Sequence, residues 1–479
     1  FFFGVCHVLC ERVFVSTNPV LSTQHLTMQP AQKPFKISQK MLVVDESGVR
    51  QKNVSDVIRD QASKDMTNPM LVGSYSDLTM VLERLESDNP QHSRAEVDQL
   101  VYKPSQWILN YLDECYFPNN EDGVFHHSDL ETFAACINTL CVNIDPTTAI
   151  LDLKSPVYVL GDIHGNYKDL NYLSKNVIQF NNLKYSAANL LFLGDYVDRG
   201  PYSVETAAWI LAMRARFPQR VHVLRGNHEF YSVNGDESTY TAGSFFHQCK
   251  DLWGPKKGES IWNDFNTFFD GLAMAAVVDE RVFCVHGGIP RPLPDKTKDP
   301  LNLLRDPNFP IFTELWPHDE DDTTIRDQRQ VASDMVWGDP APEEQEPELD
   351  EHGFGPNLQR DPTGRLPTFG NKAIDAFLAR HGFDFIIRAH EIKGDGLQIN
   401  KHARVITVFS SSGYCGSDNG SAIVYINEGK LRFVLCALTA NRKRTGAAGI
   451  SRTESEIVAA GRKALSKSRK APGAQKALR

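Results

Sequence analysis

Short apolar runs alternate with amphipathic stretches through the middle of the chain. Val157–Leu160, Asn189–Leu193 and Arg220–Leu224 have strand-like form, and helical stretches over about 167–178 and 203–216 separate them. Strands alternating with helices of that length predict βαβ units and a parallel sheet. Arg281–Val285, Phe385–Arg388, Arg404–Phe409, Ser421–Ile426 and Leu431–Leu435 predict further strands. Upstream, Ser105–Tyr116 spaces Trp107, Ile108, Tyr111 and Leu112 as a helix does. Ser128 and Glu131 form an S-x-x-E capping box, which predicts a helix over about 129–142. Gln29 to Gln99 is polar, with modest helical patterning around Leu78–Leu85, and reads as a partly ordered extension. The acidic, Pro-rich stretch 319–351 reads as a solvated insertion without a function of its own. Beyond Thr439 only 453–466 has weak helical potential, and no internal repeat is present.

Composition narrows the class. A chain of 479 residues, 41% hydrophobic and 23% charged, is long enough to bury a core without disulfide or metal staples. The net charge of −9 averages two unlike parts. Asn441 to Arg479 holds eleven Lys/Arg against two Glu, a local +9, so the remaining 440 residues carry −18. An acidic body argues against general binding to a nucleic-acid backbone. Nine scattered cysteines with no CxxC pair read as reduced thiols of an intracellular protein, cytoplasmic or nuclear. Phe1–Val15 is apolar but lacks an initiator Met and is broken by Glu11-Arg12; it reads as a mis-started segment ahead of Met28 or Met41. No later stretch reaches the ~20 apolar residues a membrane helix needs.

Chemistry gathers where the three predicted strands end. Gly161-Asp-Ile-His-Gly-Asn follows the first, Gly194-Asp-Tyr-Val-Asp-Arg-Gly the second, and Arg225-Gly-Asn-His-Glu the third. Asp162 to Asp195 is 33 residues and Asp195 to Asn227 is 32, about one βαβ unit each. All three clusters should therefore reach the same sheet edge, where sites form in α/β sheets. Carboxylate, imidazole and amide groups converging there suit divalent metals better than a packed core, and the flanking glycines permit sharp turns. His286 and His390 each follow another apolar strand and are expected to join the set.

These motifs, with Val285-His-Gly-Gly and Arg388-Ala-His in the same order, resemble the phosphoprotein phosphatase (PPP) family of serine/threonine phosphatases over residues 101–437. Trp337-Gly-Asp-Pro is similar to the family's W-x-D-P segment, and Phe409–Gly416 to its Tyr-Cys-Gly loop, with Tyr414 and Cys415. The resemblance implies an α/β fold of the metallophosphoesterase type: a two-sheet β-sandwich flanked by helices, with a non-catalytic extension (1–100) and a basic tail (438–479). It implies a binuclear centre of Mn, Fe or Zn. Asp162, His164 and Asp195 would hold one metal; Asp195, Asn227, His286 and His390 would hold the other, with Asp195 bridging. Two metals acidify a bridging water, so a hydroxide would attack phosphorus directly. His228 would then protonate the leaving alkoxide with Asp198 orienting it, and Arg199 would grip the phosphate. Asn227 and Tyr414 would line the phosphate site.

Departures from the family pattern fall on specificity. Thr363 stands where ungapped register puts the second phosphate-binding arginine, leaving Arg360 and Arg365 as candidates, with Arg360 preferred. The loop before Tyr414 lacks the usual Ala-Pro-Asn, and the segment between Gly288 and Trp337 is longer than in compact members. The expected partners are phosphoprotein substrates and regulatory proteins, with no nucleic acid for the core. The rival readings are a dinucleoside-polyphosphate hydrolase on the same fold and a pseudophosphatase scaffold.

Overall fold

The computed structural model describes residues 36–37, 40–45, 48–53, 97–116, 129–177, 183, 188–316, 318 and 320–436. The expectations for Phe1–Val15, Leu78–Leu85 and the tail from 438 lie outside them. In chain order the strands are β1 (Lys36–Ile37), β2 (Lys40–Asp45), β3 (Gly48–Asn53), β4 (Ile150–Leu153), β5 (Val157–Leu160), β6 (Asn189–Phe192), β7 (Val221–Val223), β8 (Ala275–Val278) and β9 (Val282–Val285). They continue with β10 (Asp339–Pro340), β11 (Phe354–Pro356), β12 (Pro367–Phe369), β13 (Phe385–Arg388), β14 (Leu397–Asn400), β15 (Val405–Val408), β16 (Ser421–Asn427) and β17 (Lys430–Cys436).

An eight-stranded sheet has the order β3-β2-β17-β16-β5-β6-β7, with β1 also paired to β17, and a six-stranded sheet has the order β14-β15-β13-β9-β8-β4. Alternation within each strand explains how they stack. Val157, Val159, Leu191 and Val424 of the first sheet meet Ala276, Cys284, Ile387 and Ile406 of the second in one apolar cluster. The opposite faces are covered too. Tyr158, Leu160 and Phe192 pack with the helices Lys103–Tyr116, Leu130–Asn143 and Ser203–Arg216, while Phe283, Val285 and Ile386 pack with Thr323–Trp337 and Asn371–His381. Strands buried on both faces read as unbroken apolar runs, which is why the sequence marked them clearly.

β5, β6 and β7 run parallel, as expected, and so do β9, β13 and β15. The sheet as a whole is mixed, because β16 pairs antiparallel with β5 and with β17. The N-terminal region supplies edge strands: β2 pairs parallel with β17, and β3 antiparallel with β2.

Two local readings are corrected. The helix Leu130–Asn143 has Asp129 as its N-cap with no side-chain cap bond, and Ser128, the expected cap, lies outside the described residues. The stretch 319–351 is not simply a solvated insertion. Asp322 caps the helix Thr323–Trp337, whose Val331, Ala332, Met335 and Val336 are buried and whose buried Asp334 pairs with Arg291 at 2.7 Å. Glu346 accepts the Asn371 N–H at 2.9 Å, at the start of the helix Asn371–His381, where a carboxylate offsets unpaired donors. Asp322, Asp334 and Glu346 are thus caps or ion-pair members, while Glu343, Glu344, Glu348, Asp350 and Glu351 are exposed, as expected. No helix among the described residues is long and apolar enough to cross a membrane.

Candidate metal centre

Six strands from the two sheets end at one place. Asp162 and His164 follow β5, Asp195–Arg199 follow β6, and Asn227–Glu229 follow β7. From the other sheet His286 follows β9, His390 follows β13, and the loop to Tyr414 follows β15. The turns are stitched together through their backbones. Ile163 and His164 N–H groups both donate to the Asp195 carbonyl at 2.9 Å, and Ala389 N–H donates to the His286 carbonyl at 2.9 Å. His390 N–H donates to Asp162 Oδ1 at 2.9 Å, tying one sheet's turn to the other's. Two glycines are required by close approach. A Cβ on Gly161 would lie 2.0 Å from the Val408 carbonyl oxygen, and one on Gly226 would lie 2.4 Å from Asp195 Oδ1.

Backbone strain concentrates here. His164, Asp195, Asp198, Arg199 and His390 all have positive φ, between 47° and 70°, which side chains with a Cβ seldom adopt. Each such residue costs on the order of 1–3 kcal/mol and persists only where surrounding contacts over-determine it. Glu229 supplies much of that constraint. Fully buried, its carboxylate accepts N–H groups from Asp195 (2.7 Å), Tyr196 (2.8 Å) and Gly226 (3.0 Å), pinning the Gly194–Tyr196 turn against the third cluster. The sequence displayed Glu229 inside its motif without a role for it. A carboxylate left over beside a complete ligand set was the available signal.

Backbone carbonyls set the imidazole tautomers. His164 Nδ1–H donates to Val197 O (2.9 Å) and His286 Nδ1–H to Leu193 O (3.1 Å). Each therefore presents a bare Nε2 inward: His164 Nε2 lies 3.5 Å from Asp195 Oδ2 and 3.8 Å from Asp162 Oδ2, and His286 Nε2 lies 3.3 Å from Asp195 Oδ1. His390 Nδ1 is 3.0 Å from His286 Nε2. The outward Asn227 amide atom faces the two Asp195 oxygens (3.3 and 3.2 Å), His286 Nε2 (3.1 Å) and His390 Nδ1 (2.9 Å). With oxygen there, acceptors face acceptors. Rotating the amide would satisfy them by donation, and so would a cation in their midst.

The electrostatics favour the cation. Burial and repulsion from Asp195 hold the Asp162 carboxyl well above its usual range. Burial also works against Asp195, but His286, His228 and His164 more than reverse it and hold Asp195 well below. Burial, aided by neighbouring positive charge, pushes His164 and His390 well down, in the direction that favours ligation. Two buried carboxylates ringed by imidazoles fit divalent cations, and Asp195 belongs to both groups among the described residues that could hold one: His164–Asp195–His228 and Asp195–His286–His390.

His228 thus stands close enough to be counted with the ligands, its Nε2 4.0 Å from Asp195 Oδ2. Its Nδ1 is held by Asp198 Oδ2 at 2.6 Å, and Asp198 Oδ1 accepts the Phe245 N–H at 2.7 Å. Arg199, half-buried, lies within cation–π reach of Tyr240 (5.1 Å) and Tyr414 (5.7 Å). The Tyr414 ring is 5.0 Å from His164. The two candidate arginines separate. Arg360 binds Asp339 and donates to the His390 carbonyl at 3.0 Å, so it sits at the rim of the cluster. Arg365, exposed, bonds Asp361 and Thr363 and lies over Trp316, none of which belongs to the cluster. Arg225 is structural: it is fully buried, its guanidinium reaches the Glu229 carbonyl at 3.1 Å and Asp270 at 2.5 Å, and it lies over Phe230.

A family model for the calcineurin-like phosphoesterases matches residues 155–394, from just before β5 to just past His390. The chain belongs to the calcineurin-like phosphoesterase family. Among solved structures it is similar to a protein serine/threonine phosphatase from Saccharomyces cerevisiae with similarity to human phosphatase PP5. That match is 22% identical with a TM-score of 0.51, and covers 71% of this chain and 97% of that one. It is also similar to a cold-active protein tyrosine phosphatase, at 17% identity and a TM-score of 0.40, covering 62% of this chain and 79% of that one. The cold-active protein tyrosine phosphatase of a psychrophile Shewanella species matches at 17% identity and a TM-score of 0.39, covering 60% and 80%. The metallophosphoesterase class and fold implied by the motifs are thereby borne out: this is a metallophosphoesterase with the expected two-sheet α/β architecture.

Proposed function

We propose that this phosphoesterase hydrolyses phosphoserine and phosphothreonine in proteins. The observation that carries the reading is the juxtaposition of a buried His228–Asp198 pair, 2.6 Å apart, with Arg199 at the edge of a cluster suited to two cations. The motifs Gly194–Gly200 and Tyr414–Gly416 support a protein phosphatase over a dinucleoside-polyphosphate hydrolase.

Asp162, His164 and Asp195 would hold one divalent ion, and Asp195, Asn227, His286 and His390 the other. Such a pair, when bound, supplies an acidified water and neutralises phosphate charge. The remaining chemistry belongs to the chain. Arg199 takes two phosphate oxygens in its planar fork, with Arg360 beside His390 and Tyr414 next to Arg199. As a water oxygen bonds to phosphorus, the bond from phosphorus to the seryl or threonyl oxygen breaks. His228 Nε2 gives its proton to that oxygen, and the water's proton passes to solvent. Asp198 holds Nδ1–H, so that Nε2 is the atom offered to the ester. Inside a cell, where the thiols would stay reduced, substrates would be cytoplasmic or nuclear phosphoproteins; Cys136, Cys141, Cys249, Cys284 and Cys436 carry free thiols.

The test is a panel of phosphoserine, phosphothreonine and phosphotyrosine peptides beside diadenosine tetraphosphate, assayed with Mn2+, Fe2+ or Zn2+. Turnover should be fastest on the first two. Turnover of the dinucleotide alone, or of phosphotyrosine alone, would sink the proposal.

A further inference from the structure

One turn beside the centre has no part in the roles assigned so far. Residues 236–243 leave the third cluster, double back over the site and return to Arg199, whose N–H donates to the Gly243 carbonyl at 2.8 Å. The turn is built, not slack. Asp236 caps it by accepting the Ser238 and Thr239 N–H groups at 2.9 and 3.0 Å. Glu237 is pinned by Lys250 (2.6 Å) and His247 (2.9 Å). Thr241 has φ 53° and ψ −128°, a conformation that a β-branched residue reaches only when its surroundings hold it.

The product of that strain is the placement of Tyr240. Its ring lies 5.2 Å from the His228 ring and 5.1 Å from the Arg199 guanidinium carbon. One aromatic side chain thus touches both the proton donor and the phosphate clamp of the proposed reaction. Asp198 fixes only Nδ1 of His228, which leaves the tilt of the imidazole to the rings beside it, His164 edge-on at 4.7 Å and Tyr240 inclined at 5.2 Å. For Arg199 the ring face offers an attraction that a desolvated guanidinium uses well.

We propose that Tyr240 is a positioning residue that holds His228 and Arg199 together on the leaving-group side, and so favours phosphate esters of alkyl alcohols. The inference rests on the phosphatase reading given above and adds its substrate chemistry. An alkoxide is a poor leaving group and needs its proton delivered on time, whereas an aryl oxide such as p-nitrophenolate leaves without one. Loosening His228 should therefore cost alkyl esters more than aryl esters. Loosening Arg199 should weaken phosphate itself.

The experiment uses the full chain loaded with Mn2+, comparing Tyr240→Phe, Tyr240→Leu and Tyr240→Ala on a phosphoserine peptide and on p-nitrophenyl phosphate. Inorganic phosphate serves as competitive inhibitor. Tyr240→Ala should lower kcat about tenfold on the peptide and less than about threefold on the aryl ester, as expected for a donor moved out of line. Its Ki for phosphate should rise about fivefold, the size of a lost cation–π contact. Tyr240→Phe should stay within about twofold of wild type, because the ring does the work. Tyr240→Leu, which keeps bulk and so guards against collapse of the turn, should show the phosphate effect. Equal losses on both substrates, or an unchanged Ki in both Tyr240→Leu and Tyr240→Ala, would overturn the proposal. Should the wild type turn over the aryl ester but no phosphopeptide, the serine/threonine reading fails, and the phosphate Ki still judges Tyr240.

Discussion

At the scale of single residues, the site is an arrangement of lone pairs held in place by backbone. Val197 O and Leu193 O each take the proton of one imidazole nitrogen so that the other points bare at Asp195. That division of labour yields a sharp expectation for His228, which stands both among possible ligands and against Asp198. Replacing it with Asn should leave the metal content unchanged while turnover falls by about 10²- to 10⁴-fold, the usual worth of a general acid. Loss of one metal equivalent in elemental analysis of His228→Asn would instead make it a ligand. Glu229 acts through Asp195, accepting three N–H groups. Glu229→Gln puts an amide donor where a carboxylate oxygen accepted, so at least one buried N–H is left unpaired at about 1–3 kcal/mol. Its melting temperature should fall and its metal affinity weaken, read by calorimetry and by metal titration. An unaltered affinity would remove Glu229 from the construction of the centre.

Among elements, the loop after β15 and the N-terminal hairpin make separate contributions. The loop carries Tyr414 and is held from across the site: Ser412 N–H donates to Asp169 at 2.5 Å, Asn166 Nδ2 donates to Ser411 Oγ and to Ser412 O, each at 3.1 Å, and Tyr414 N–H donates to Asn419 Oδ1 at 2.8 Å. Burial pushes the Asp169 carboxyl up to about 7, against the pull of the Ser412 N–H. The folded chain then holds a proton that the unfolded chain releases near 3.8, so between those values stability falls as pH rises. Asp169→Asn removes that titration. Wild type should lose more melting temperature than Asp169→Asn between pH 5 and pH 8, and parallel curves would refute the assignment. At the other end of the sheet, β2 and β3 lie outboard of β17. A chain lacking residues 1–96 would present the β17 edge as a template for strand pairing. It should keep its turnover, since among the described residues no site turn comes from that region, yet self-associate in light scattering; a monodisperse monomer would show the edge is protected otherwise.

For the molecule as a whole, the centre links folding to metal. The carboxylates and imidazoles that would ligate come from the ends of strands in both sheets, so an ion bound to them fastens one sheet to the other. Ligand that binds only the folded form stabilises it by mass action, about 2.7 kcal/mol at a hundredfold excess over Kd. Melting temperature should accordingly climb with added Mn2+ and drop on chelation, with activity following. A melting temperature indifferent to both would mean that the two sheets hold the cluster without help.

Much of this was legible in the chain itself. The strands β5, β6, β9 and β13 announced themselves because both their faces are buried, leaving no polar alternation to blur the run. The ligand-type residues stood out because Asp, His and Asn at strand ends make poor packing material, and the 33- and 32-residue steps placed them on one edge. What sequence could not decide depends on approach between distant segments. The chain gave Arg360 only a slight preference over Arg365, and folding separates them by setting one beside His390 and the other beside Trp316. Part of the acidic stretch 319–351 read as solvated because its ion partners Arg291 and Lys401, and the Asn371 N–H that Glu346 accepts, are remote in sequence. Tyr240 carried no periodic signal at all; a strained turn brings it over His228. Local chemistry and spacing thus determined the class of site, through the short-range rules of strands and turns. The tertiary structure decided which neighbours hold it in register, because those contacts are made between residues that no local pattern connects.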